Sequence, residues 1–271
     1  RMSKPLHIAV TSTEITLLDS AQKLAKSLFL PYIEYSKQEK FDFILALTLT
    51  GLYLKDLGKK SLGMLRIDFL QGKLAYRLHH LHNQKQLLAK AVGLKVNFKP
   101  TVLDATAGLG SDGFILAQLG CSVTLLERSP VIFALLRDGL NRAIKHPKYS
   151  LLSIKLIQTN SLIYLKKIST RKETPDIIYL DPMYPHSAKS ALAKKEMRFL
   201  RQLVGDDIDA VNLLALALVC AKQRVVVKRP RLAPYLAKLK PQHSIFGKQH
   251  RLDVYFTHLF QGLNFRPLPT L

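Results

Sequence analysis

Two turns that each carry a carboxylate define the chemistry open to this chain. Asp104-Ala-Thr-Ala-Gly-Leu-Gly110 sets an acid and two glycines where a buried strand would end. Asp181-Pro182-Met183-Tyr184-Pro185 sets an acid, a rigid turn and an aromatic ring where another would end. Gly108 and Gly110 allow a tight turn and a close approach of a ligand to the backbone. Asp112 follows at the expected start of a helix, where a carboxylate suits the positive terminus. Glu127 closes the next apolar run, about 20 residues beyond Asp104, the place from which an acid binds ribose hydroxyls in dinucleotide-type folds. A carboxylate suits that place because it accepts two hydroxyl hydrogens at once. The turn lacks the Gly-x-Gly-x-x-Gly pattern that holds a pyrophosphate. The pocket expected here takes a nucleoside cofactor without phosphates. S-adenosylmethionine, with its sulfonium and amino-acid tail, meets that description. A Gly-x-Gly turn by itself would be an ordinary strand-to-helix connection, and the placement of Glu127 is what favours a cofactor. Thr159-Asn160-Ser161, after a third strand, offers polar groups to an adenine, and Ser161 is equally well placed to cap the next helix.

The second turn faces a substrate. An exocyclic amine on a planar base is a poor nucleophile because its lone pair is delocalised into the ring. Acceptors aimed at its N–H groups favour the charge that appears there during attack. Asp181 offers a carboxylate, the Pro182–Met183 backbone a carbonyl, and Tyr184 a ring to stack on the base, a contact worth about 1–3 kcal/mol. Asp181 is also the nearest acceptor for the proton that the amine must lose. Asp-Pro-x-Tyr is common as a plain strand-ending turn; its position three strands after a cofactor-type turn is what makes it a signal. Beyond it, residues 187–203 read as a basic amphipathic helix. Leu192, Phe199, Leu200 and Leu203 would face the core, and Lys194, Arg198 and Arg201 would form a stripe that phosphates could touch. Lys228-Arg229, ending a fifth strand on the same rim, is a second candidate phosphate clamp, and His250-Arg251 a weaker third. His79, His80 and His82 lack the spacing and companions of a metal site, so no metal is expected.

Composition agrees with a polyanionic partner. Lys and Arg number 41 against 19 Asp and Glu, a formal charge of +22. Such an excess says nothing of the fold but favours salt-sensitive association with nucleic acid over an acidic membrane. The two cysteines, Cys121 and Cys220, lie in apolar stretches without a Cys-x-x-Cys, which fits a reducing cytoplasm rather than a disulfide framework. The longest strongly apolar stretch, Leu213 to Ala221, is far shorter than the about 20 residues of a membrane span. No cleavable apolar leader is apparent, and Arg1 ahead of Met2 is left out of the fold reading. Nothing in the sequence points to a protein partner.

These residues need a scaffold. From Thr101 onward, apolar runs alternate with helix-length segments: Thr101–Ala105, Ser122–Glu127, Ile154–Gln158, Asp176–Asp181 and Arg224–Lys228. Continuous apolar runs suit parallel strands covered by helices on both faces. The rhythm predicts a doubly wound α/β domain over residues 96–271, with Leu252–Thr257 added antiparallel beside the fifth strand. Residues 1–95 read as a small basic α/β domain that adds RNA-binding surface. It would hold strands at His7–Thr11 and Phe43–Leu47, a helix around Ser20–Leu28, and a hairpin of Leu65–Phe69 with Leu74–Leu78 about Gln71-Gly72-Lys73. A helix over Gln84–Val92 would stop at Gly93.

The blocks Asp104–Asp112, Leu126–Pro130, Tyr179–His186, Lys189–Arg198 and Val225–Pro230, taken together, closely resemble the bacterial ribosomal RNA small subunit methyltransferase J family. The resemblance runs from about residue 65 to about 257. It implies a Rossmann-like fold and methyl transfer from S-adenosylmethionine to N2 of guanosine 1516 in the 16S ribosomal RNA of the 30S subunit. It also implies a cofactor site lined by Ser111, Asp112, Glu127, Arg128, Asn160, Ser161 and Asp181. The chain departs from the family where Ser111 replaces a frequent Arg and Asn160 a frequent Ser. Broader amine methylases carry Asp-Pro-Pro-Tyr, and Met183 makes this turn less rigid. The residues also admit amine methylation of another base, such as adenine N6 in DNA or RNA. A non-catalytic RNA-binding protein of ribosome assembly is a second alternative. A nicotinamide-dependent oxidoreductase stands further off, for want of the phosphate turn.

Overall fold

Alternate residues of the apolar runs enter two different cores, and this fixes the architecture. The computed structural model describes residues 6–59, 61–72, 75, 82–170, 173–183, 195–204 and 209–260. Among them, a seven-stranded sheet contains β5 (Thr101–Asp104), β6 (Ser122–Glu127), β7 (Ile154–Gln158), β8 (Ile177–Leu180), β9 (Arg224–Pro230), β10 (His243–Phe246) and β11 (His250–Phe256). Its order is β10-β11-β9-β8-β5-β6-β7. β5 to β9 are parallel, and β11 runs antiparallel to both β9 and β10. In β8, Ile177 and Tyr179 enter one buried cluster, Ile178 and Leu180 the other. Such a strand must be apolar throughout, because helices cover both faces.

On the first face lie α2 (His82–Val92), α3 (Ser111–Gln118), α4 (Pro130–Ile144) and α6 (Lys195–Val204), through residues such as Leu88, Phe114, Leu135 and Phe199. On the second lie α5 (Ser161–Ser169) and α7 (Ala210–Cys220), through Leu165, Leu214 and Ala217. The expected doubly wound domain, with an antiparallel strand beside the fifth, is the fold observed. β10 was not foreseen; four residues that pair only with β11 leave little periodicity to read.

The N-terminal part forms a four-stranded sheet of β1 (Ile8–Ser12), β2 (Phe43–Thr48), β3 (Gly51–Asp56) and β4 (Met64–Leu65), in that order. β1 and β2 are parallel and joined through α1 (Leu18–Leu28); the other pairs are antiparallel. β3 was missed because only Leu49 and Thr50 separate it from β2, so the two strands read as one. The expected hairpin is corrected. Among the described residues of this segment, only Met64–Leu65 pairs, and it pairs with β3. Asp68 Oδ1 accepts from the backbone N–H groups of Leu70 and Gln71 and turns the chain away from a strand. Gly72 and Ala75 are helical, and the remainder of Leu74–Leu78 lies outside the described residues. The alternation of Leu65, Ile67 and Phe69 comes instead from burial against helices. Phe69 stacks on Phe114 of α3 at 4.2 Å, and Ile67 lies against Gly139 of α4. One buried cluster therefore runs from Val10 and Leu45 of the small sheet to Phe114 and Leu135 beneath the large one.

Candidate active site

The strand order of the large sheet reverses between β5 and β8, and in open α/β sheets the carboxyl ends of the strands at such a switch point form the ligand crevice. Asp104, at the end of β5, is buried, and its Oδ1 accepts from the Thr106 N–H at 3.1 Å. Gly108 (φ 51°) and Gly110 (φ 73°) then take left-handed conformations that L side chains avoid. A Cβ on Gly110 would lie 2.6 Å from Leu136 Cδ1. Ser111 opens α3, half-buried, with Asp112 buried behind it.

Three hydrogen bonds lace the loops around this crevice. Gly108 N–H donates to Glu127 Oε2 at 3.1 Å, joining the first turn to the end of β6. Ser161 Oγ donates to the Ala105 carbonyl at 2.5 Å, joining the start of α5 to the same turn. The Asp181 N–H donates to Thr106 Oγ1 at 2.6 Å, joining the first turn to the second. Thr106 was not singled out in the sequence, although it lies inside the acidic Gly turn. The cap of α5 is Asn160, whose Oδ1 accepts from the N–H groups of Leu162 and Ile163. Ser161, the expected cap, is the first helical residue and turns to Ala105 instead. Arg128 reaches the other way, from Nη2 to the Val204 carbonyl at the end of α6.

Charge is concentrated at the switch point. Lys228 Nζ lies 2.6 Å from Asp112 Oδ2 and 2.8 Å from Asp181 Oδ2. Tyr179 Oη donates to the same Asp112 oxygen at 2.7 Å. The expectation that Lys228 and Arg229 clamp a phosphate on the rim is corrected. Lys228 turns inward to the two carboxylates. Arg229 is only 5% exposed and donates through Nε and Nη2 to the Pro234 carbonyl. Arg251 is likewise buried, bonded to Asp253 and to the carbonyls of Pro230, Arg231 and Ala233. On α6, Phe199 and Leu200 are buried as expected, Arg198 is exposed and Arg201 half-buried. Tyr184 and Lys194 lie outside the described residues, as do Leu192 and the histidines at 79 and 80. Pro182 is buried and Met183 packs on the first core.

Burial drives the proton affinities. It pushes Asp104 up to about 8, with Asp112 and Asp181 adding to the shift and the Thr106 N–H opposing it. Burial pushes Glu127 up to about 7 against the N–H groups of Ser129 and Gly108. Burial also acts on Asp112, but the Lys228 ammonium overcomes it and holds that carboxyl below its ordinary range. Asp104, Asp112 and Asp181 face one ammonium among the described residues, an environment that favours an added cation. An acidic crevice with a Cβ-free turn and Glu127 at the neighbouring strand end fits S-adenosylmethionine. Asp104, Gly108, Gly110 and Glu127 stand on the turns beside the switch point, and Asn160 and Ser161 open the helix that is tied to the first of them.

A family model described as "Putative SAM-dependent methyltransferase" matches residues 29–257. The chain is 48% identical over 248 residues to ribosomal RNA small subunit methyltransferase J of Coxiella burnetii, covering 92% of this chain and 96% of that one. It is 45% identical over 252 residues to the protein of that name in Pseudomonas aeruginosa, covering 92% and 94%. The crystal structure of a SAM-dependent methyltransferase from Neisseria gonorrhoeae superposes with a TM-score of 0.71 at 33% identity, over 95% of this chain and all of that one. Likeness of this degree, spread over both sheets and over the acidic crevice between β5 and β8, has one reading: the chain belongs to the ribosomal RNA small subunit methyltransferase J family of S-adenosylmethionine-dependent methyltransferases.

Proposed function

We propose that this protein methylates the exocyclic N2 of guanosine 1516 in the 16S RNA of the small ribosomal subunit. Its relatives from Coxiella and Pseudomonas are named for the small-subunit RNA they act on, which supports the substrate class. The observation that carries the choice of an amine is the place of Asp181. Its carboxylate stands at the switch point, one turn from the cofactor crevice, with its backbone tied to Thr106 of the Gly turn. S-adenosylmethionine, when bound, supplies a methyl group from its sulfonium.

The chain supplies position and a proton acceptor. Asp181 and the Pro182–Met183 carbonyl orient the amine, and Tyr184 packs on the base. The nitrogen bonds to the methyl carbon as the carbon–sulfur bond breaks, and that electron pair stays on sulfur. The proton shed by nitrogen passes to Asp181, directly or through water. Arg198 and Arg201 of α6, whose Leu200 side chain lies beside Gly108, are proposed phosphate contacts together with Lys194, which lies outside the described residues. A ribosomal substrate assigns the work to the cytoplasm, and no helix among the described residues is long and apolar enough to cross a membrane.

The test is transfer of labelled methyl to 30S subunits, naked 16S RNA and DNA, with nucleoside analysis, for the wild type and Asp181→Asn. The expected product is N2-methylguanosine in 16S RNA, reduced about 10²- to 10⁴-fold in the variant while cofactor binding persists. N6-methyladenosine would replace the base assignment. Cofactor binding without transfer to any substrate would sink the proposal in favour of an RNA-binding role.

A further inference from the structure

The most tightly knit polar group of the site is one that sequence reasoning assigned to RNA. Lys228 projects from β9 between α3 and β8, and its ammonium meets Asp112 at 2.6 Å and Asp181 at 2.8 Å. Tyr179, one residue before the end of β8, donates to the same Asp112 oxygen. The side chain of Lys228 is 22% exposed, that of Asp112 9% and that of Asp181 41%. The order Tyr179, Asp112, Lys228, Asp181 therefore leads from the interior to the crevice. A lysine that serves a phosphate keeps its charge outward; this one spends it on two carboxylates, and the more exposed of them is the one proposed to meet the base.

We propose that Lys228 is a positioning residue for methyl transfer: clamped by Asp112, its ammonium holds one oxygen of Asp181, keeping that carboxylate ionised and aimed at the substrate amine. This rests on the reading of Asp181 as the acceptor of the amine's proton. A carboxylate that has already taken up a proton from solvent cannot accept one from nitrogen. Asp181 is held above the ordinary carboxylate range: burial raises its proton affinity, Lys228 limits the rise, and Asp112 adds to it. The other groups that face it are Asp104 from β5, Tyr179 from its own strand and His250 from β11, the last opposing protonation. Without Lys228, His250 is what remains among the described residues to oppose burial and the two neighbouring carboxylates. Without Asp112, Lys228 serves Asp181 alone. The two changes must therefore move the acid limb of the reaction in opposite directions, which a merely structural ion pair would not do.

The experiment is the pH dependence of kcat/KM for full-length wild type, Lys228→Met, Lys228→Arg and Asp112→Asn. Thermal melting, calorimetric binding of S-adenosylmethionine and RNA affinity against salt are measured beside it. Lys228→Met is expected to move the acid limb up by about one pH unit or more. Its rate at neutral pH should fall about 10²-fold and recover as pH rises. Lys228→Arg keeps the charge and should lie near the wild type, and Asp112→Asn should move the limb down. An unmoved limb in both Lys228→Met and Asp112→Asn overturns the proposal. So does a raised RNA KM in Lys228→Met with the salt slope reduced by about one, which marks a phosphate contact. If Lys228→Met does not fold, the sign of the shift in Asp112→Asn decides. Asp181→Asn, run alongside, separates the two ideas: near-wild-type transfer by that variant removes Asp181 as acceptor whatever Lys228 does.

Discussion

Glu127 spends both carboxylate oxygens on the backbone, Oε2 on Gly108 and Oε1 on Ser129 at 2.7 Å, and burial still lifts it to about 7. Each oxygen keeps a lone pair for a ribose hydroxyl, and hydroxyl donors favour the ionised form. Binding of S-adenosylmethionine should therefore draw a proton off Glu127. The cation should draw another from Asp104, which burial and its acidic neighbours push up to about 8. The sign follows: affinity rises with pH from 6 to 8, and protons are released on binding at pH 7. Titration calorimetry in two buffers of different ionisation enthalpy measures both. Glu127→Gln should weaken binding about tenfold at pH 8 and remove part of the pH dependence, and Asp104→Asn the rest. Affinity that does not change between pH 6 and 8 would refute this account of the pair.

At the scale of elements, α3 is held against the sheet more closely than a side chain would permit. A Cβ on Gly113 would come 2.3 Å from Leu125 Cδ2 and 3.3 Å from Asp104 Oδ2. Alanine would gain about 1 kcal/mol of helix propensity, but overpacking a buried contact costs about 1–3 kcal/mol. The clash should win, because Leu125 is itself fully buried and cannot swing aside. Gly113→Ala is expected to lower Tm by several degrees and to weaken cofactor binding through Asp104; a Tm at or above that of the wild type would show that the sheet yields. The helix α5 depends on its cap in the same way. Asn160→Ala removes the acceptor for Leu162 and Ile163 and should cost about 0.5–2 kcal/mol in urea unfolding. The strands at this scale were legible wherever helices cover both faces, because burial on two sides demands unbroken apolar runs. Leu65–Phe69 was misread because past Leu65, which pairs with β3, two helices rather than a partner strand bury Ile67 and Phe69.

The whole molecule is joined by a charged knot as well as by the shared core. Arg142 of α4 donates to Asp138 at 3.0 Å, to Asp68 at 2.8 Å and to the Ile67 carbonyl at 2.5 Å, with about a fifth of its side chain exposed. Arg142→Ala would take this cation from Asp138 and leave Asp68 with Arg66 at 3.5 Å, at a cost of about 1–3 kcal/mol. Equilibrium unfolding measures it, and a change under about 0.5 kcal/mol would mean that the knot holds nothing together. The proposed role of residues 1–95 in binding RNA is best examined on their surface. Phe69 lies 3.5 Å from the Cβ that Gly110 lacks, so truncation would disturb the cofactor turn too. Lys23 and Lys26 are exposed on α1. Charge reversal at both should weaken RNA binding and flatten its salt slope by about two, with cofactor affinity unchanged. An unaltered salt slope would remove α1 from the RNA surface.

From the sequence alone, the α/β alternation, the acidic Gly turn, Glu127 and the Asp-Pro turn could be read. Each is local: a strand ends, the chain turns, and the residue types at the turn declare their chemistry. The partners of Lys228 could not be read, because Asp112, Asp181 and Lys228 are far apart in the chain and meet only where the strand order reverses. Its neighbours Arg229 and Arg251 looked like rim cations for the same reason. Sequence counts charges without saying which way they point, and here the backbone carbonyls of residues 230–234 and the carboxylate of Asp253 turn them inward. Direction is a tertiary property, set by which groups are buried together and must satisfy one another there.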